Sequence, residues 1–176
     1  CIFNDPVIAI KKLVKLGLKV LYVDIDAHHG DGVQVAFYDT DQVTTVSFHE
    51  SGEFLFPGTG FTDEIGQSSG RGYSINVPLG PYTGDDVYIW AFTECLLPIV
   101  EKVSPDILVS QVGIDTYYAD PLTHLNITTN GYAKVLNHFK SFGLPWVCLG
   151  GGGYDLLGVA RCWTIAYSIM IGESLA

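Results

Sequence analysis

Apolar and polar positions alternate in blocks along the chain, and the blocks predict two kinds of element. Apolar runs rich in β-branched residues, each typical of a buried strand, recur at 19–25, 43–48, 73–77, 106–113 and 145–150. Helix-like segments lie around them, at 5–16, 31–38, 84–102, 130–142 and 155–172. Strands that are apolar on both faces and alternate with helices predict an α/β fold, a mostly parallel β-sheet with helices on both faces.

The first helix shows how its boundaries are predicted. In DPVIAIKKLVKL, at 5–16, Asp5 is expected at the N-cap and Pro6 suits the first helical position. Gly17 is expected to end the helix, and the first strand follows at once.

The chain is long enough for one substantial hydrophobic core. It has 176 residues, of which 48% are hydrophobic and 16% charged, and no linker or shift of composition divides it. We therefore expect a single domain over 1–176. The four cysteines, Cys1, Cys95, Cys148 and Cys162, show no CxxC spacing, which favours free thiols in a reducing, cytoplasmic compartment.

The charge balance argues against two classes of partner. Nine basic and nineteen acidic residues give a formal net charge of -10, and basic residues cluster only at Lys11, Lys12 and Lys15. Direct binding of nucleic acid is not expected, because it requires a basic surface. A membrane anchor is not expected either, since no apolar stretch approaches the length of a span. An acidic surface could favour cationic substrates, although it also serves solubility alone.

Polar clusters follow four of the five predicted strands. They are DIDAHHGDG, SFHESGEFLFPGTG, GIDTYYADPLTHL and GGGGYD. In open α/β sheets, ligands bind beyond the carboxyl ends of the strands. If the sheet is parallel, the four clusters share one edge, where we expect the functional site.

The first cluster has the residue types of a metal site. Strand alternation puts Asp24 and Asp26 on one side of the chain, His28 continues that spacing, and Asp115 ends another strand. Two carboxylates and one imidazole with open positions are typical of a catalytic site for a divalent ion such as Zn2+. The alternative is helix-capping acids and core histidines, but so dense a cluster is costly to bury unless its charges are paired or bound to metal.

Two other segments offer candidate groups at the same edge. The four glycines of LGGGGYD, at 149–155, let backbone or substrate come close, and the segment lacks the phosphate motifs GxGxxG and GK[ST]. Tyr154 could donate to an oxyanion opposite a metal, or could be a packing residue. Phe56, in FPGTG, could be a pocket wall or part of a rigid turn.

Taken together, the motifs resemble one family. YVDIDAHHGDG, VSFHESGEFLFPGTG, VGIDTYYADPL and LGGGGYDLLGVARCW are similar to the histone deacetylase superfamily in order and approximate spacing, over essentially the whole chain. The wording DPLTHL is more like the bacterial and archaeal branch, which includes acetoin-utilisation proteins. The resemblance implies the arginase/deacetylase α/β fold and a metal-dependent amidohydrolase. Its substrate would be an acetylated amine such as N-acetyl-lysine, in a protein or in a small molecule.

The same resemblance implies roles for the candidate residues. Tyr154 matches the tyrosine that polarises the acetyl carbonyl and stabilises the tetrahedral intermediate. The ligands of Zn2+ or Fe2+ would be Asp26, His28 and Asp115. The walls of the narrow tunnel for the acyl-lysine stem would include Phe56, Leu122 and Gly152.

Structural monovalent cations, usually K+, are implied as well. The ligands of the first would be Asp24, the Ser47 hydroxyl and backbone oxygens of Asp26, His28 and Phe48. A second site would use backbone groups of Phe37, Thr40, Val43 and Tyr73.

One part of the family pattern is absent from the sequence. The family's general base is the second of a tandem His pair upstream of the cysteine that Cys1 matches. His28 and His29 do not replace it, since His28 is the metal ligand and His29 is expected to pack as a structural neighbour. Asp24 and Asp31 match the residues that orient those two histidines. We therefore expect the C-terminal portion of a deacetylase catalytic domain, its N-terminal portion missing, with very low activity alone.

Other functions stay open. The chain could be a non-catalytic, metal-stabilised binding module, or belong to an acetylpolyamine amidohydrolase. An arginase-like ureohydrolase would need a two-metal site, and the GGGGY turn argues against it. Neither the natural substrate nor the oligomeric state follows from the sequence, because rim loops largely determine specificity.

Overall fold

A computed structural model describes residues 3–173, in which strands and helices alternate. A short 3-10 turn at Ser68–Gly70 precedes the third strand. The five strands are β1 (Val20–Asp24), β2 (Val43–Glu50), β3 (Ser74–Leu79), β4 (Ile107–Gln111) and β5 (Trp146–Leu149). The five helices are α1 (Asp5–Lys15), α2 (Asp31–Ala36), α3 (Asp85–Val103), α4 (Thr129–Ser141) and α5 (Leu156–Ile171). Every predicted strand and helix is present, and the α/β fold is confirmed.

The strands form one parallel sheet in the order β3-β2-β1-β4-β5. Each neighbouring pair is parallel, so the carboxyl ends of all five strands lie at one edge. β1 is the central strand, and its last residue, Asp24, pairs with Ser47 of β2 and Gln111 of β4. The polar clusters that follow the strands therefore share an edge, as the sequence predicts.

Helices cover both faces of this sheet. On one face, α1 and α2 bring Ile10 and Val33 against Tyr22 of β1. On the other face, α3, α4 and α5 pack the larger core, in which Phe92, Leu136 and Cys162 are fully buried. Burial of such apolar side chains contributes about 1.5–3 kcal/mol each, and the packed layers hold the sheet edge in place. The edge strand β5 is less covered, and its side chains are half-buried.

One predicted boundary is wrong by one residue. Asn4, rather than Asp5, is the N-cap of α1, and its side-chain Oδ1 accepts the N–H of Val7 at 3.0 Å. Asp5 and Pro6 follow inside the first turn, where a negative charge is favourable and an N–H is not needed. The predicted end is right, since Gly17 follows the helix with a φ of +83°.

Three of the four cysteines lie in the described part of the chain. Cys95, Cys148 and Cys162 are free, while Cys1 lies outside the described residues. Over 3–173, none of the helices is long and apolar enough to cross a membrane.

Candidate metal centre

Three predicted ligands converge where β1 and β4 end. Asp26 and His28 follow β1, Asp115 follows β4, and one ligand atom from each lies within 4.8 Å of the other two. The Nδ1 atom of His28 is 3.1 Å from Asp26 Oδ1 and 2.9 Å from Asp115 Oδ2. Asp26 and Asp115 are buried, whereas the His28 ring is partly open to solvent. The structure thus brings together all three residues of the predicted metal set.

Backbone N–H groups hold both carboxylates in this orientation. Asp26 accepts the N–H of His28 at 2.9 Å and that of Gly152 at 2.6 Å. Asp115 Oδ1 accepts the N–H of Ala27 at 2.7 Å. These bonds leave carboxylate oxygens facing His28 Nδ1, as a preorganised ligand set requires.

Glycines make this close approach possible. A Cβ atom on Gly152 would lie 2.9 Å from Asp26 Oδ2 and 2.8 Å from Asp115 Cγ, nearer than real Cβ contacts. A Cβ atom on Gly113 would lie 2.7 Å from Asp26 Cγ. Gly152 and Gly113 are therefore needed here for steric reasons, so that the chain can pass directly beside the two carboxylates.

The electrostatics of the centre favour a cation. Hydrogen bonds with Asp115 and Asp26 raise the pKa of His28 to about 10, which makes its ring an imidazolium at neutral pH. Burial raises the pKa of Asp115 to about 6. Burial also opposes ionisation of Asp26, but the hydrogen bonds from His28 and Gly152 hold the pKa of that carboxyl below its ordinary value. Two carboxylates and one imidazole converge here within 4.8 Å of one another. This donor set fits a divalent cation, which would compete with the proton for His28 Nδ1.

Asp24 is a further buried carboxylate beside this centre. Its Oδ2 accepts the Tyr22 hydroxyl at 2.7 Å, and its Oδ1 accepts the Asp26 N–H at 3.0 Å. Burial, followed by the charge of Asp26, raises the pKa of Asp24 well above its ordinary value. Ser47 of β2 pairs with Asp24 in the sheet, and the Ser47 hydroxyl is hydrogen-bonded to His49 Nδ1 at 2.8 Å. The two side chains predicted for the monovalent-cation site are therefore neighbours, and the site stays a prediction.

The groups of the second predicted cation site lie where α2 ends and β2 and β3 begin. The Phe37 carbonyl accepts the Thr40 N–H at 3.4 Å, and the Tyr73 carbonyl accepts the Thr45 N–H at 2.8 Å. Val43 is the first residue of β2. A carbonyl oxygen has two lone pairs, so each of these carbonyls can bind a cation while it accepts one hydrogen bond. The second cation site stays a prediction.

A cleft of about 600 Å³ opens beside the metal centre. Tyr154 lines it and is half-exposed, and its backbone N–H donates to Asp120 Oδ2 at 2.8 Å. Burial, followed by the charges of Asp115 and Asp26, raises the pKa of the Tyr154 hydroxyl. The other predicted residues that line the cleft are Asp24, Asp26, His28, Asp31 and Gly152.

Phe56 and Leu122, the predicted tunnel walls, are more exposed. Phe56 lies in the loop after β2 and is 79% exposed, and Leu122 lies in the loop after β4 and is 55% exposed. Both loops are at the functional edge of the sheet, but these two side chains are not among the described residues that line the cleft. Their role as walls stays a prediction.

The adjacent histidine, His29, packs as predicted. It is buried, with Nε2 at 3.1 Å from Gln34 Oε1 and Nδ1 at 2.8 Å from Thr59 Oγ1. Its two ring nitrogens are thus satisfied by neutral groups. These contacts agree with the prediction that His29 packs as a structural neighbour.

Two connections at this edge are absent from the sequence-based assignments. Asp120 joins Tyr154 to the Leu122 loop, and the buried Glu50 binds His124 through its N–H at 2.9 Å and its Nδ1 at 2.8 Å. Their only sequence signal is their position in polar clusters after strands. The motifs ADPL and SFHE contain them without indicating a partner.

Known proteins are similar to this chain in sequence and in fold. The family model described as "Histone deacetylase domain" matches residues 1–170. "Histone deacetylase B" of Dictyostelium discoideum is 47% identical over 97% of this chain and 40% of its own length. "Acetoin utilization protein AcuC" of Bacillus subtilis (strain 168) is 44% identical over 98% of this chain and 46% of its own length.

Solved structures of members of this family have the same fold as this chain. The crystal structure of an HDAC homologue from Aquifex aeolicus matches with a TM-score of 0.95 and 40% identity, over 100% of this chain and 48% of that one. An HDAC homologue complexed with SAHA matches with a TM-score of 0.94 and 39% identity, again over 100% of this chain and 48% of that one. This chain spans less than half the length of these relatives. The predicted arginase/deacetylase fold is confirmed, and the chain belongs to the histone deacetylase family.

Proposed function

We propose that this chain carries the metal centre and the oxyanion-stabilising tyrosine of a Zn2+-dependent deacetylase. Its substrate would be an acetylated amine such as N-acetyl-lysine, in a protein or in a small molecule. The observation that carries the proposal is the convergence of Asp26, His28 and Asp115, whose ligand atoms lie within 4.8 Å of one another. Carboxylate and imidazole ligands suit Zn2+ and also accept Fe2+. Family membership supports the reaction class.

The residues of the cleft have complementary parts in such a reaction. A bound ion would supply a Lewis acid for the acyl carbonyl. Tyr154 keeps its proton at neutral pH, because burial and the nearby carboxylates raise its pKa, and it can donate that hydrogen to an oxygen that gains negative charge. Gly152 leaves space beside Asp115. By the family resemblance, Phe56 and Leu122 would form walls of the entrance. Water would add to the amide, so the products are acetate and a free amine.

Transfer of the water proton needs a base that the described histidines do not provide. Each of the five histidines has another environment or position. His28 faces two carboxylates, His29 contacts Gln34, His49 contacts Ser47, His124 binds Glu50, and His138 lies on α4 beside Phe92. The family resemblance implies that this base is a histidine of the tandem pair that precedes these motifs in the family. Asp24 and Asp31 line the cleft and would orient it.

Asp24 also supports the proposed K+ site. It is a buried carboxylate without a Lys or Arg partner in the described part of the chain, and it lies opposite Ser47. A monovalent cation bound by Asp24, Ser47 and nearby carbonyl oxygens would compensate this charge.

Metal titration combined with turnover on an acyl-substrate panel tests the proposal. We expect the chain to bind a single Zn2+ and to hydrolyse an acetyl-lysine peptide slowly, since lack of a general base costs about 10²- to 10⁴-fold. Asp26→Ala should abolish Zn2+ binding and the residual turnover. Tyr154→Phe should keep the Zn2+ and lose about 100-fold in turnover.

Each other outcome contradicts a defined part of the proposal. Failure of the chain to bind Zn2+ would contradict the metal centre. Two bound ions would favour the ureohydrolase, and turnover restricted to acetylpolyamines would restrict the substrate class to small amines. Tight Zn2+ binding without any turnover that depends on Asp26 would favour a non-catalytic binding module.

A further inference from the structure

Asp120 connects two loops of the cleft through one carboxylate. It lies after β4 and is 8% exposed. Its Oδ2 accepts the N–H of Tyr154 at 2.8 Å, and its Oδ1 accepts the N–H of Leu122 at 2.9 Å. Its own N–H donates to the Tyr117 carbonyl at 2.8 Å. The carboxylate therefore joins the tyrosine to the loop that carries Leu122.

The backbone around Tyr154 depends on few hydrogen bonds. Four glycines precede it, and Gly153 has a φ of +148°. Such a run has many accessible conformations, so specific bonds must select one. Before Tyr154, the Gly152 N–H donates to Asp26 at 2.6 Å and the Gly152 carbonyl accepts the Ile114 N–H at 2.7 Å. At Tyr154 itself, the backbone N–H is bound by Asp120.

The Tyr154 side chain does not fix its own position by hydrogen bonding. The ring is half-exposed, and over residues 3–173 its hydroxyl has no hydrogen-bond partner. The position of the hydroxyl therefore depends on the side-chain rotamer and on the backbone from which the ring projects. A shift of the Tyr154 backbone would move the hydroxyl relative to Asp115 and Asp26.

The loop at the other end of the connection is firmly held. The Thr123 hydroxyl donates to the carbonyl of Asp115, a residue of the metal centre. The next residue, His124, is bound twice by the buried carboxylate of Glu50. Asp120 thus links the Tyr154 backbone to a loop that is itself hydrogen-bonded to Asp115, a predicted metal ligand, and to Glu50.

We propose that Asp120 is the positioning residue for Tyr154. By binding both backbone N–H groups, it sets the distance between the tyrosine and the loop that carries Leu122, and orients the tyrosine towards the acyl carbonyl. The inference deepens the proposed function and rests on it for the role of Tyr154. The connection itself can be tested without any turnover.

Hydrogen exchange measured by mass spectrometry tests the connection in the Zn2+-loaded chain. Asp120→Asn keeps the size of the side chain but replaces one acceptor oxygen with an NH2 group that faces a donor. We expect exchange of peptides covering 150–155 to rise about tenfold or more, because a hydrogen bond to a charged acceptor is lost. The matched control is Asp106→Asn, which loses the same kind of bond, to the Lys19 N–H, at the opposite end of the sheet.

Two results would overturn the connection. One is unchanged exchange over 150–155 in Asp120→Asn. The other is an equal rise in β1 and β4, which would mean that Asp120 stabilises the whole fold. Zn2+ affinity should stay within about threefold of the original, since Asp120 is not one of the three converging ligands.

A double-mutant cycle on binding of SAHA tests whether Asp120 acts through Tyr154. We expect Asp120→Asn to weaken SAHA about tenfold in the original chain and less than about twofold in a Tyr154→Phe background. Equal losses in both backgrounds would overturn the positioning role. If the original chain binds Zn2+ but no SAHA, the proposed acyl site fails, and the exchange result still decides the connection.

Discussion

His28 and His29 are neighbours in the chain, yet they belong to two buried clusters with opposite electrostatics. We call the first the acidic cluster, which consists of Asp24, Asp26, His28 and Asp115. The second, the polar network, consists of His29, Gln34, Ser47, His49 and Asn76. In the acidic cluster, hydrogen bonds with two carboxylates raise the pKa of His28 to about 10. In the polar network, burial and the neighbouring His29 lower the pKa of His49 to about 4.

The difference lies in how complete each cluster is. In the polar network, Gln34 Oε1 accepts His29 at 3.1 Å and Asn76 at 2.7 Å, and His49 binds the Ser47 hydroxyl and the Gly60 carbonyl. It is largely satisfied without a ligand, and at its border Gln34 Nε2 donates to the Glu64 carboxylate at 2.6 Å. The acidic cluster contains three buried carboxyl groups and a single imidazole, and burial raises the pKa of Asp24 and of Asp115. A further cation would stabilise the ionised carboxylates. Metal binding is therefore expected at His28 and not one residue later.

The largest expected effect is the loss of Zn2+ affinity when a charge is removed from the acidic cluster. We expect Asp115→Asn to weaken Zn2+ binding by about 100-fold or more, since it removes a ligand and places an NH2 group opposite His28. A competition titration against a chromophoric chelator measures this. Asp31→Asn, an exposed carboxylate beside the same cleft, is the control and should bind as the original does. Equal affinities for both variants would contradict the assignment.

The pH dependence of stability tests the polar network. The folded pKa of His49, about 4, is below its unfolded value of about 6.5, so the unfolded chain takes up the proton first. The contribution of neutral His49 is complete above about pH 6.5 and is lost as the pH falls towards 4. Between pH 7 and pH 5 we expect a loss of about 2 kcal/mol in the free energy of unfolding that is smaller in His49→Gln. Urea denaturation measures it, and parallel curves for both proteins would refute the prediction.

The pH dependence of Zn2+ affinity sharpens the contrast. His28 is protonated in the metal-free chain below about pH 10, so the ion must displace a proton from Nδ1. We expect affinity to fall about tenfold per pH unit from pH 8 to pH 6.5, and more steeply below about pH 6, where Asp115 is protonated as well. Calorimetry in buffers of different ionisation enthalpy counts the released protons. An affinity independent of pH would contradict the raised pKa of His28.

The smallest expected effect is the loss of stability on substitution of His29, the chain neighbour of His28. His29→Gln should lower the free energy of unfolding by about 1 kcal/mol, because the amide replaces only part of the hydrogen bonds to Gln34 and Thr59. Zn2+ affinity should stay within about threefold. Urea denaturation and the chelator titration together decide the matter, and a large loss of Zn2+ affinity would mean that the two clusters act as one.

The strands and helices are predictable from the sequence because apolar periodicity depends only on residues that are near one another in the chain. Alternating apolar runs and helical segments indicated every strand and helix, and D-x-D-x-H indicated two of the three converging ligands. The cap of α1 was misplaced because Asn4 and Asp5 both suit that position, and only the bond from Val7 N–H to Asn4 distinguishes them. Asp115 needed the assumption that the strands are parallel, which the sheet confirms.

The sequence by itself determined the α/β fold, the family, and the residue types that meet at one sheet edge, since period and motif are properties of neighbouring positions. Only the tertiary structure decided how these residues are held. The Gly152 N–H reaches Asp26 across 126 positions, and Tyr154 reaches Asp120 across 34. No local pattern encodes such contacts, because packing of the parallel strands and their loops creates them. The same packing places one of two adjacent histidines between two carboxylates and the other in a network of uncharged partners, Gln34 and Thr59.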